Sequence, residues 1–243
     1  TIQSTGQYGN SVLAGGNQNS ATVIFTSTAD VTFSGAGTRS FSLGGNSLGD
    51  NEFRIRLRDN PNANEALSLT KADAGLWILN PATSSTYTGT TTITGGALRV
   101  ASSAAAVQGL SATSPLVING GVLETSGTFS RTLAAPVAGT GTVQLSGGAS
   151  GFAAATPARL VVSLGGGGLT WGATNFAPTS LVLGSSTALG ETEITNAINL
   201  GTAARTITVN NNGNTGTMVT AGILSGVISG SAGGNLIKSG GGV

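Results

Sequence analysis

The chain contains no cysteine and no histidine, and only 8% of its 243 residues are charged. The missing cysteine removes disulfides, thiolate nucleophiles and cysteine zinc sites together. Without histidine no Ser-His-Asp triad can form. An ordinary soluble domain carries roughly 25% charged residues. The formal net charge of +1 offers no electrostatic footprint for DNA, RNA or an anionic membrane. No 18-residue apolar run is present that could span a bilayer, and no basic-then-apolar start resembles a signal peptide. Any export signal or anchor is expected outside this segment. Disordered chains combine high net charge with low hydrophobicity, whereas 39% of this chain is apolar. Its glycines follow no three-residue period, which excludes collagen.

What the chain has instead is glycine, 40 residues of it, with Thr, Ser, Asn and Ala at most of the remaining polar positions. Short runs of β-type residues recur between these small ones: ATVIF (21–25), VTFSG (31–35), FRIRL (53–57), LWIL (76–79), TTTITGGALRV (90–100), PLVINGGVLE (115–124), TVQLSGG (142–148), ARLVVSL (158–164), TSLVLG (179–184), RTITV (205–209) and GILSGVISG (222–230). Their alternation of branched or apolar residues with small polar ones is the period-two signature of half-buried strands. No stretch keeps a 3.6-residue period. ASSAAAVQGL (101–110) reads as a loop or at most one helical turn, because Gly109 and the small residues break it.

Two repetitions favour a solenoid. A turn of the form β-x-β-x-Gly-Gly-x-β occurs at Thr92–Leu98 and Val117–Leu123, with a looser copy at Val143–Ala149. Paired glycines supply the positive φ of a sharp corner without steric cost. Gly96, Gly121 and Gly148 follow one another at about 25 residues, close to one coil of a parallel β-helix. On a longer scale LSLTKADAGLW (67–77) matches GNLIKSGGGV (234–243), and GTRSFSL (37–43) matches AARTITV (203–209). Lys71 to Lys238 and Arg39 to Arg205 keep the same long separation to within one position. They define a super-repeat of about 167 residues, and self-similarity at a fixed period marks repeat architectures. Residues 35–75 thus resemble 201–243, and the expectation is one continuous solenoid over 1–243, a slice through a larger repeating unit with no discrete second domain.

At Leu69–Val100, LTKADAGLWILNPATSSTYTGTTTITGGALRV, the chain resembles the autotransporter-associated β-strand repeat, also called the passenger-associated transport repeat. The resemblance is carried by Lys71, Gly75, Trp77, Leu79, Tyr87, Thr88, Gly89, Ile93, Gly95, Gly96 and Leu98. Asp73 and Ala74 stand where small or glycine residues are commoner. This resemblance implies an all-β, right-handed parallel β-helix (a single-stranded β-solenoid) exported to the bacterial surface as part of a long passenger or fibre. It implies no catalytic residues. At roughly 20–27 residues per coil the chain would wind about ten coils.

Candidate sites are few. In GDNEFRIRLRDN (49–60), Arg54, Arg56 and Arg58 alternate with Phe53, Ile55 and Leu57, which puts three arginines on one strand face. They read either as an anion or acidic-glycan contact strip or as a solvated face countered by Asp50, Glu52 and Asp59. Trp171 and Trp77 could stack on sugar rings or plug the core. Both Lys71 and Lys238 read as positions on a coil's polar face. The nine acids are scattered, and Glu191 with Glu193 is the lone close pair, in an expected loop. No catalytic residue, metal ligand or cofactor is expected. The expected function is structural: a non-enzymatic segment of a bacterial extracellular fibre or adhesin stalk, partnered by copies of itself or by neighbouring repeats. A carbohydrate-binding adhesin module is the alternative, and a polysaccharide-degrading β-helix enzyme a more distant one.

Overall fold

The computed structural model describes residues 2–4, 22–61, 65–100, 102–103, 106–211 and 221–243. The described strands wind in parallel around one axis. A nine-stranded sheet runs the length of the column: Ile24–Phe25, Asn51–Phe53, Leu76–Leu79, Ala97–Val100, Val122–Thr125, Ala149–Ala154, Ser180–Leu183, Arg205–Val209 and Leu236–Ser239. A six-stranded sheet from Ile2–Ser4 to Val143–Leu145 precedes it in each early coil, and a four-stranded sheet from Thr128–Arg131 to Gly222–Leu224 follows it in the later ones. A three-stranded sheet, Leu169–Thr170, Ile198–Asn199 and Ile228–Ser229, completes the later coils. The fold is therefore the expected all-β parallel β-solenoid, with no helix among the described residues.

Alternation does the sorting. Strand Leu67–Lys71 is strictly buried and half-buried by turns, as is Leu160–Leu164. The inward positions then stack in register from coil to coil: Trp77 on Leu98, Leu98 on Leu123, Leu123 on Phe152, Phe152 on Leu183 and Leu183 on Val209. Each of these is buried. No coil could bury such a face alone, so stacking itself creates the core.

Steps along the nine-stranded sheet are uneven. The chain returns soonest between Leu76 and Ala97, and takes its longest excursions from Ala149 to Ser180 and from Arg205 to Leu236. Nine strands therefore stand where about ten coils were expected, because the later coils carry longer outer loops. At the strand spacing of a sheet, these rungs extend about 40 Å. The expected step from Gly96 to Gly121 recurs between Leu98 and Leu123. The step from Gly121 to Gly148 recurs between Leu116 and Val143, but on the next sheet, from Val122 to Gly151, it is longer. The excess is absorbed at the corner, where Gly147 and Gly148 take φ of 94° and 50° and Ser150 Oγ donates to the Gly147 and Ile118 carbonyls.

The corner glycines have a second cause. A Cβ on Gly96 would lie 2.3 Å from the Gly75 carbonyl oxygen, and one on Gly75 would lie 2.6 Å from that of Gly45. Corners of successive coils stack backbone on backbone. Other corners are pinned by side chains: Asn196 Oδ1 accepts the Leu164 N–H (2.8 Å) while its Nδ2 donates to Leu164 O (3.0 Å) and Gly167 O (2.7 Å). Asn196→Ala strands both polar groups of Leu164 and is expected to cost about 2 kcal/mol in urea unfolding. An unchanged midpoint would show that the pin is idle.

Some expected strands are shorter. VTFSG forms no strand, the single bridge beside it being Asp30 to Arg56, and FRIRL is a strand only at Phe53. In the 101–110 stretch, Ser102–Ser103 pairs antiparallel with Ala106–Val107, the only antiparallel strand pair described.

Candidate functional surfaces

The arginine strip has its expected parity. Phe53 and Leu57 are buried and Ile55 packs against the core, while the guanidiniums point outward. Each has a carboxylate, though not always the expected one. Arg54 meets Glu52 at 2.6 Å, and Arg56 and Arg58 share Asp30 at 3.4 and 3.3 Å. Arg56 Nε also donates to Ser84 O of the next coil at 2.8 Å. Arg54 holds the Glu52 carboxyl below the usual carboxylate range. Asp50 and Asp59 are engaged elsewhere. Asp50 lies 3.8 Å from Arg99, and the Asp59 carboxylate accepts the Leu67 N–H, the Thr88 N–H and the Thr88 hydroxyl.

The remaining acids are also engaged. Glu191 and Glu193 both pair with Arg159, at 2.9 and 3.2 Å, with Glu193 on a strand and not in a loop. Asp73 accepts the Gly45 N–H at 2.8 Å, and Glu65 accepts from Asn60. Among the described residues no three His, Cys, Asp or Glu side chains come together as metal ligands.

Trp171 is 3% exposed. Its Nε1 donates to Pro178 O, Phe176 packs edge-on against it, and Arg205 covers its ring at 5.8 Å. It is a corner plug whose faces are already occupied. Trp77 is fully buried with Nε1 donating to Gly44 O at 2.8 Å.

Lys71 corrects the polar-face reading. It stands in the inward column between Leu43 and Ile93 and is fully buried. Its ammonium donates to the carbonyls of Ala72 (2.6 Å), Asp73 (2.8 Å) and, one coil on, Gly95 (3.0 Å). Burial lowers its pKa to about 8, against a smaller opposing pull from Asp73. Asp73 itself sits at φ 58°, the only left-handed residue described that is not glycine, a conformation that Asp tolerates better than most. Lys238 also faces inward, registered with Ile207, and repeats the donation to the carbonyl two residues ahead, Gly240 O at 2.9 Å; it is exposed. The two arginine landmarks share a local device. Arg39 and Arg205 each open a strand and donate to the carbonyl five residues back, Ser34 O at 3.0 Å and Leu200 O at 3.1 Å. Gly35 and Gly201, at the same offset before them, have φ of 75° and 70°. The recurrence falls on different faces: Arg39 and Lys71 on the six-stranded sheet, Arg205 and Lys238 on the nine-stranded one.

Sequence reasoning missed one cluster. Glu124, fully buried, accepts from Arg99 Nε at 2.7 Å, from Ser185 Oγ at 2.5 Å and from Thr187 Oγ1. Arg99 also donates to Thr187 O at 2.7 Å. Ser185 and Thr187 are far from both Glu124 and Arg99 in sequence. The cluster's only sequence signal was an acid inside the β-type run PLVINGGVLE.

A column of parallel coils, with glycine corners and alternating inward side chains, defines a β-solenoid. Within it, residues 69–100 match the passenger-associated-transport-repeat family. The matched segment covers four consecutive strands, from Leu69 on the six-stranded sheet to Val100 on the nine-stranded one, and so just over one coil. No curated protein and no solved structure matches the chain. The residues that carry the match serve the winding: Lys71, Trp77, Leu79, Tyr87, Ile93 and Leu98 lie inside, and Gly75, Gly95 and Gly96 form corners.

Proposed function

We propose that this chain is a non-enzymatic structural segment of an autotransporter-type passenger or fibre at the bacterial cell surface. The observation that carries this reading is where the repeat places its residues. The landmarks of the matched segment make stacking contacts or coil corners. The carboxylates are each engaged by a cation or a hydrogen-bond donor. Incubation of the purified protein with acidic and neutral polysaccharides is expected to release no reducing ends or unsaturated products. Sustained product release would overturn the reading.

The segment also acts as one module of a longer column, joined end to end with neighbouring repeats or with copies of itself. Exposed large apolar residues support this. Val23 and Ile24 lie at one edge of the nine-stranded sheet, and Leu236 and Ile237 at the other, with Val227 and Val243 nearby. A translated second column would pair these parallel edges, a heterologous contact that propagates. Light scattering is expected to show mass rising with concentration; monodisperse monomers at high concentration would remove this part. The alternative, glycan contact through Arg54, Arg56 and Arg58, rests on their outward guanidiniums. It requires a glycan-array signal that falls with Arg56→Ala.

A further inference from the structure

A solenoid coil normally touches only its neighbours, so its stability is close to a sum of coil and interface contributions, and its ends can unwind one coil at a time. The segment Gly184–Gly190 breaks that rule. It leaves the strand Ser180–Leu183 through Gly184, at φ 89°, and folds back over the outer face of earlier coils. There the Leu189 N–H donates to Ala154 O at 2.8 Å, and Gly190 makes an antiparallel bridge with Ala154. Ala188 closes a small apolar cluster with Val122, Ala153 and Val182, separate from the main core and fully buried at Ala153 and Ala188. Ser185 and Thr187 reach Glu124 two coils back, and the Thr187 carbonyl takes the Arg99 guanidinium three coils back.

We propose that Gly184–Gly190 is a strap that joins the coils from Ala97–Val100 to Ser180–Leu183 into one cooperative block, so that unwinding from the Leu236–Ser239 side stops at Ser180–Leu183. The chemistry favours an all-or-none closure. Glu124 is buried with three donors, and opening the strap removes two of them while exposing the apolar cluster. A buried carboxylate that loses its partners is far costlier than a surface ion pair.

Hydrogen exchange on the intact protein tests it. The amides of Leu236–Ser239 and Arg205–Val209 exchange fastest, with a step in protection at Ser180–Leu183. Glu124→Gln accelerates exchange at the Gly184 and Leu189 amides about 100-fold and moves the step to earlier coils, while Thr91–Ile93 is unchanged. Thr187→Val keeps the Arg99–Glu124 pair, folds even if Glu124→Gln does not, and accelerates the same amides about tenfold. A smooth gradient of protection in the unmodified protein would overturn the proposal. So would Leu189 exchange that Thr187→Val leaves unchanged, or acceleration spread evenly along the column.

Discussion

Gly151→Ala is expected to prevent the stacking of Ser180–Leu183 on Ala149–Ala154. Gly151 is registered between Val122 and Val182. An added Cβ would sit 1.8 Å from Val182 O, 2.6 Å from its carbonyl carbon and 2.8 Å from its nitrogen. These are ladder atoms, so they cannot yield without breaking the hydrogen bonds that hold the coils together. Overpacking in a core ordinarily costs about 1–3 kcal/mol where side chains can adjust; a backbone collision exceeds that range. The expected result is a loss of at least about 4 kcal/mol, or no folded protein, read by urea unfolding. Gly167→Ala is the control, since it has no atom within 4 Å of the new carbon and no positive φ. Equal midpoints for the two variants would show that close approach at Gly151 does not limit the fold.

Lys71 gives the second large effect, and it depends on pH. Its pKa in the fold is about 8 against an ordinary 10.5, so the unfolded chain holds the proton more tightly. Below pH 8 the ammonium is charged in both states and the burial penalty is present in full. Between 8 and 10.5 the folded chain releases its proton first, and stability rises with pH by up to about 3 kcal/mol. Burial pushes the Tyr87 phenol in the opposite direction for stability. Its pKa is raised, so above pH 10 the unfolded chain ionises first and stability falls. The rise should therefore be read from pH 8 to 9.5, where Lys71→Met is expected to abolish it. Lys71→Ala leaves three carbonyls without their donor and a gap between Leu43 and Ile93. It is expected to cost about 3 kcal/mol at pH 7. A wild-type stability that stays flat across this window would refute the buried charge.

The same lysine shows how far the sequence could be read. In LSLTK the period-two alternation places Leu67, Leu69 and Lys71 on one side, and that parity holds. Charge argued for the outer face, and parity prevailed because the glycine corner turns three carbonyls toward the ammonium. The arginine strip was legible for the same reason: its parity follows from Phe53 and Leu57. Glu52 was legible as the partner of Arg54, but the counter-charge of Arg56 and Arg58 was not, since Asp30 belongs to the preceding coil. Arg99–Glu124 and the strap were invisible, because local pattern does not indicate which outer loop will fold back across which coils.

Alternation, glycine corners and a spacing close to one coil were enough to specify a parallel column, since each is a constraint that a single coil places on its own backbone. Which side chains meet is another matter. Step lengths vary along one sheet, the path from Ala149 to Ser180 being much longer than that from Leu76 to Ala97, and a shift by a single position would turn every inward side chain outward. Only the packed column resolves those registers, because each coil's partner is chosen by burial summed over the whole stack and not by any one stretch of chain.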